Sequence, residues 1–147
     1  LGEKTPIHDL NAKGTITGLT LSNDKYDLWV AILESVCFGF MHHLEVLKEN
    51  KIKINNIMAS DGGSKSKLWM QITSNITQKP IKIYKNIEGS YLGAGFVAAK
   101  TLNLYKNWSD IKKLTGDYVL VRPQKKYKIY RNLYKNLKSL FPQFKDL

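Results

Sequence analysis

Ile57-Met58-Ala59-Ser60-Asp61-Gly62-Gly63-Ser64-Lys65-Ser66-Lys67-Leu68-Trp69-Met70-Gln71 is the stretch whose reading decides the rest. Its first residues, Ile57 to Ala59, make an apolar run long enough for a short buried strand. Two glycines follow. Ser64 then stands where a helix N-cap is wanted, ahead of Leu68, Trp69, Ile72 and Ile76, which recur as the inner stripe of a helix. The expected order is strand, glycine turn, helix. In open α/β folds ligands gather outside the carboxyl ends of strands, and a helix N-terminus there favours anions. Gly62 and Gly63 carry no Cβ, so a flat base, a sugar or a phosphate can approach the main chain closely. The plainer reading, a tight strand-to-helix turn with no ligand, fits the same spacing.

Upstream, residues 1–12 show no periodicity and read as an irregular lead-in. Lys13 to Leu21 is β-branched and alternating, a strand or an extended loop with glycine bends. Ser22-Asn23-Asp24 offers capping side chains, with Asp27 in the first turn of a helix expected to run to about Glu49. Leu28, Trp29, Ile32, Leu33, Val36, Phe40, Leu44 and Leu47 form its expected inner face, with apolar flanks that imply packing on more than one side. Glu34 reads as a buried acid with a hydrogen-bond partner, since no second acid or base stands near it for catalysis. His42 and His43 are adjacent and point to different sides of a helix, which does not suit a shared metal.

Downstream, the helix after the glycines is expected to reach about Gln78 and stop at Lys79-Pro80. Ile81 to Tyr84 alternates as a short strand, and Asn86 to Gly89 reads as a turn. A second small-residue helix opens at Gly89, with Gly93, Gly95 and Ala99 allowing a neighbouring backbone or a ligand to come very close. A short helix over Trp108 to Leu114 should end by Gly116. An amphipathic helix spans 124–141, with Tyr127, Tyr130, Tyr134, Leu137 and Phe141 on one face and Phe144 beyond Pro142.

Composition sets the outer bounds. The 147 residues suffice for one domain, 1–147, with a real core. Hydrophobic content is 43% and charged content 24%, ordinary values for a globular protein. The sequence reading finds no apolar run of membrane-span length and no secretory leader pattern. The chain begins at Leu1 and reads as a processed or excised piece. The single Cys37 excludes an internal disulfide framework and reads as a small core residue, fitting a reducing, cytoplasmic setting. The net charge of +11 is mostly lysine spread along the chain, dense only from Arg122 to Leu147, where it reads as the wet face of a helix.

Four blocks in this order resemble the C-terminal portion of the FGGY carbohydrate kinases, the family of glycerol, xylulose, gluconate and fucose kinases. Asn11-Ala12-Lys13-Gly14 to Gly18-Leu19-Thr20 is similar to the family's NARG…GLT opening, with Lys13 where arginine is usual. Ala31 to Phe38 looks like its A-x-L-E-G/S-x-A-F helix. Ser60 to Gln71 is similar to GGGAxSxLWxQ and its DGG variant. Gly89 to Gly95 looks like xxALGAA, and the closing tyrosine helix resembles the Y…Y…LY ending of xylulose-kinase-like members. The match runs from about residue 11 to about residue 144.

The resemblance implies the C-terminal lobe of an actin-like, ribonuclease-H-like ATPase fold, α/β, helix-rich with a small sheet. It implies ATP in the cleft between two lobes, Mg²⁺ for the full kinase, and sugar held mainly by an N-terminal lobe. Carried over residue by residue, Gly62 and Gly63 match the glycines along the adenosine and α-phosphate side of the nucleotide. Lys67 stands where some members place an asparagine near adenine. Asp61, Ser64 and Gly93 support that pocket. The family's catalytic aspartate and both phosphate loops lie in blocks upstream of those matched here, so no catalytic residue is expected in this chain and it is expected to be inactive alone. The expected partner is the N-terminal lobe of the same kinase, and Leu68-Trp69 with the tyrosine-rich tail leans towards a pentulose or related sugar.

Two other classes stay open. A basic nucleic-acid-binding module would use the Arg122–Lys145 helix and bind in a salt-sensitive way. An interaction domain with an actin-like fold would pair with itself, as a homodimer, or with another chain through bare apolar surface.

Overall fold

The computed structural model describes residues 8–85, 89–124 and 127–140. Its elements run α1 (Lys25–Glu49), β1 (Ile57–Ala59), α2 (Asp61–Ser64), α3 (Lys67–Thr77), β2 (Ile81–Tyr84), α4 (Gly89–Thr101), a 3₁₀ helix at Trp108–Lys113, β3 (Tyr118–Val121) and α5 (Tyr127–Leu140). The three strands lie in the order β1-β2-β3. β1 and β2 are parallel, Ile57 opposite Ile81 and Ala59 opposite Ile83, with α3 in the crossover between them. β3 returns antiparallel to β2, Val121 opposite Ile81 and Tyr118 opposite Tyr84.

α1 starts where its capping residues sit. The Asp24 carboxylate accepts from the backbone N–H groups of Tyr26 and Asp27, at 2.7 and 3.0 Å, and Asp27 accepts from Asp24 N–H at 3.1 Å. This reciprocal box satisfies donors that the first turn leaves free. Ahead of it, Lys13 to Leu21 forms no strand; the chain bends at Gly18, whose φ of +76° only glycine adopts freely. Of the expected inner face of α1, only Leu33 is fully buried, together with Cys37, Phe38 and Met41. Trp29, Ile32, Val36 and Phe40 instead form a stripe between 41% and 57% exposed. α1 is apolar around most of its circumference, so periodicity did not show which arc meets α3. The helix is also long and apolar enough, by length and composition, to cross a membrane, with a hydropathy of 1.4 over its best window. In the sequence the apolar run there is interrupted by Glu34 and Ser35. Glu34 stands in the middle of the helix, and one face packs against α3 and α5.

The cap of α3 differs from expectation. Ser66, not Ser64, is the N-cap, its Oγ accepting from Trp69 N–H at 3.2 Å. The Ser64 hydroxyl turns back and donates to Asp61 O at 2.7 Å, closing the single turn of α2. The inner stripe differs too. Leu68 is 51% exposed, Trp69 is half-buried, and Met70 with every residue from Ile72 to Thr77 is buried. α3 ends at Thr77 through Gln78, whose φ of 52° is left-handed, and Pro80 follows.

A helix buried all round must satisfy its polar side chains. Thr73 Oγ1 donates to Trp69 O at 2.8 Å and lies 3.1 Å from Cys37 Sγ. Ser74 Oγ donates to Lys79 O at 2.9 Å. Asn75 Oδ1 accepts from Gln124 N–H at 2.8 Å, and Gln71 Nε2 donates to Arg122 O at 2.9 Å. These two amides clasp the segment between β3 and α5. Cys37 is fully buried, and burial pushes its thiol above the usual range against the weaker pull of its contacts with Thr73 and Trp69.

The core joins α1, α3 and α5 through Leu33, Cys37, Phe38, Ile72, Ile76 and Tyr134, with Met41 and Tyr130 completing it. α5 is described from Tyr127, and Gln124, expected at its start, is not helical; residues 125–126, the side chain of Tyr127, and Phe141 and Phe144 lie outside the described residues. Tyr130 and Tyr134 point inward, 6% and 5% exposed, so they offer no stacking face to bases. Leu137, expected on the same face, is 43% exposed. Tyr134 Oη donates to Glu45 at 2.8 Å. Burial raises the Tyr130 phenol, and the charge and hydrogen bond of Glu34 raise it further; Glu34 thus has a partner but is half-buried, not the buried acid the sequence suggests. Phe96 on α4 packs separately on Tyr105 and Trp108, with ring centroids 5.1 and 6.1 Å away.

Candidate functional site

β1 ends at Ala59, and the chain turns off the sheet within two residues. The turn is made by Asp61, whose φ of 65° is left-handed, not by the glycines. Asp is among the few residues that tolerate this region, and Ser60 Oγ steadies its carboxylate with a 2.8 Å hydrogen bond. Gly62 and Gly63 follow inside α2 with no positive φ. Their lack of a Cβ therefore matters for space. At Gly62 an added Cβ would meet nothing within 4 Å, whereas at Gly63 it would press on the Trp69 indole at 3.1 Å. Gly62 leaves main chain open to solvent; Gly63 lets Trp69 close beneath it.

A cavity of about 500 Å³ opens beside this turn, its walls chiefly apolar. Gly63 and Ser64 line it together with Ser60, while Phe40 and His43 of α1 and Thr73 of α3 close the far side. Trp69 also lines it, with a buried indole N–H. The structure thus brings Gly63 and Ser64 into the cavity wall and keeps Asp61 and Gly62 at its edge. Lys67 is exposed at the first position of α3, and Gly93 on α4 is not part of the wall. The sequence places Phe40 only on the inner face of its helix and His43 only as an unsuitable metal ligand, and nothing in it singles out Thr73, so none of the three is expected at the site.

α4 meets the turn at its first residue. A Cβ on Gly89 would lie 2.7 Å from Ser60 Oγ, 3.2 Å from Ser60 Cβ and 3.5 Å from Asp61 Oδ2. The close approach expected of the small-residue helix is therefore made by Gly89, while Cβ atoms at Gly93 and Gly95 would enter open space. Gly89→Ala should displace Ser60, break its hydrogen bond to Asp61 and destabilise the chain by about 1 kcal/mol. Urea denaturation should show that loss, and adding Ser60→Gly should recover most of it. Equal losses in the single and double variants would disprove the contact.

This arrangement can hold a flat apolar group in the cavity and an anion against the open main chain at Gly62. Among the described residues no three His, Cys, Asp or Glu side chains come together as a metal site.

The sequence pattern of the FGGY family of carbohydrate kinases, C-terminal domain, matches residues 1–102. A xylulose kinase of Staphylococcus xylosus is 28% identical over 147 residues, covering 100% of this chain and 29% of that protein. Glycerol kinase 5 of Homo sapiens is 33% identical over 136 residues, covering 92% of this chain and 26% of that protein. Among solved structures, a xylulose kinase from Rhodospirillum rubrum superimposes with a TM-score of 0.76 at 36% identity, over 93% of this chain and 29% of that one. A gluconate kinase from Lactobacillus acidophilus gives 0.81 at 29% identity, over 97% and 30%. The chain spans less than a third of the length of each.

Proposed function

Since the chain belongs to the FGGY family of carbohydrate kinases, we propose that it is the ATP-binding C-terminal lobe of a kinase that phosphorylates a pentulose or a related sugar. The observation that carries this is the open main chain at Gly62 at the carboxyl end of β1, beside the apolar cavity walled by Gly63 and Ser64. In this reading Gly62 and Gly63 hold the nucleotide, Asp61 and Ser64 fix the turn, Lys67 lies at its rim, and α4, which carries Gly93, meets the turn through Gly89. ATP supplies the transferable γ-phosphoryl group, with Mg²⁺ held elsewhere in the full kinase. An N-terminal lobe brings the sugar and the catalytic base, and the protein works in the cytoplasm. The lean to a pentulose rests on the relatives' names and on Leu68-Trp69.

Titration of ATP into the chain at about 50 and 200 mM salt tests the reading. A base in an apolar cavity keeps most of its affinity across that range, whereas binding through phosphate contacts alone falls steeply. Loss of all binding at the higher salt would favour a polyanion surface instead. The chain alone should show no ATP-dependent turnover of xylulose, gluconate or glycerol, because phosphoryl transfer needs positioning and charge stabilisation from several groups at once. Turnover by pure chain, abolished by a substitution within it, would overturn the two-lobe assignment.

A further inference from the structure

A second cavity, also about 500 Å³, lies on the other side of Leu44 from the first, and Leu44 lines both. Lys48, Lys51, Lys53, Lys79 and Arg131 line it, against the single acid Glu45. Glu45 is already engaged by Tyr134 Oη at 2.8 Å and Lys138 Nζ at 3.6 Å. Arg131 has an interaction of its own, but Lys48, Lys51, Lys53 and Lys79 have no ion-pair partner among the described residues.

The lysines are held there by the backbone. Lys51 closes α1 with a left-handed φ of 60°, its N–H donating to Lys48 O and that of Ile52 to Leu47 O, both at 2.9 Å. That position is ordinarily given to glycine or asparagine, so a lysine there sets a strained backbone beside like charges. Lys53 comes from a loop, whereas Lys48, Lys51 and Lys79 stand at the C-terminal ends of α1 and α3, whose dipole charges of roughly half a unit each offset only part of theirs. Between them Met41, Leu44, Ile52 and Ile54 supply apolar wall.

We propose that this cavity binds a small, multiply charged phosphorylated anion, separate from the nucleotide position. Ammonium groups lining one cavity repel one another, and an anion bound among them relieves that repulsion, while the apolar wall suits a short carbon skeleton. The concave shape suits a small ligand better than a duplex, which needs cations spaced along a groove. The assignment does not depend on the kinase reading.

The test uses calorimetric titration of inorganic tripolyphosphate into the 147-residue chain. Saturable binding is expected, weakened about tenfold or more by the combined substitutions K48Q, K51Q and K79Q, since each removes a charge-assisted contact. The single substitution K106Q, at an exposed lysine outside the cavity, should leave it unchanged. Binding kept by the triple variant, lost in K106Q, or absent would overturn the proposal. So would a short single-stranded oligonucleotide that binds more tightly and is lost in the triple variant. A footprint on unaltered protein covers the case of a misfolded variant. Tripolyphosphate should slow acetylation of Lys48, Lys51, Lys53 and Lys79 and leave Lys106 unchanged; uniform slowing would equally overturn it.

Discussion

Ile76→Ala is expected to lower the unfolding free energy by about 3 kcal/mol, within the range for large-to-small changes in a closed core. Ile76 is fully buried in the cluster that joins α1, α3 and α5. Its neighbours on α3 cannot slide in to fill the space, because Ser74 and Asn75 are tied to Lys79 and Gln124. A cavity that cannot collapse keeps its full cost. Domains of this kind are stable by only about 5–15 kcal/mol, so the loss would be large. Leu68→Ala is the comparison. Both residues belong to the same helical stripe in sequence, yet Leu68 is 51% exposed. Its truncation should cost about 0.5 kcal/mol or less, as for a surface change. Urea midpoints of the two variants measure the register of α3 directly. A larger loss at Leu68 than at Ile76 would mean that the helix is rotated.

Gly62→Val is expected to weaken ATP more than tenfold while leaving the fold intact. Valine is no worse than glycine in a helical turn, and an added Cβ at Gly62 meets no protein atom within 4 Å. Whatever the substitution blocks is therefore outside the chain. In the two-lobe kinase proposed above, the Michaelis constant for ATP should rise and that for sugar should stay nearly unchanged. Gly63→Val is the less clean experiment. Its Cβ would press on Trp69 at 3.1 Å, and overpacking of this kind costs about 1–3 kcal/mol of stability. ATP binding should fall there too, partly because the cavity wall moves. Lys67→Ala should change ATP affinity by at most about 0.5 kcal/mol if its exposed side chain only meets water. Equal loss of ATP and sugar in Gly62→Val, with an unchanged circular dichroism spectrum, would remove the turn from the nucleotide site.

What the sequence made legible was local. The Asp24 cap with Asp27, the strand at Ile57–Ala59, the strand at Ile81–Tyr84 and the break at Lys79-Pro80 are each determined by residues a few positions apart. The four matched blocks carried the family. What it hid was decided by distant contacts. Ser66 and Ser64 are both competent caps, and the left-handed Asp61 spends Ser64 on closing α2. β3 went unassigned because four residues, Tyr118 to Val121, show their strand character only against β2. The Gly89 contact joins two motifs that lie far apart in the chain. The lysine-lined cavity draws its charges from α1, two loops and α5, so no window of sequence contains it.

Trp29, Ile32, Val36 and Phe40 carry one more consequence, concerning abundance in the cell. Spaced by three, four and four, they lay a greasy seam along one side of α1. Exposed apolar segments of this kind are what chaperones hold and what degradation machinery samples. Molecules that show this seam bare are then the ones such triage removes first.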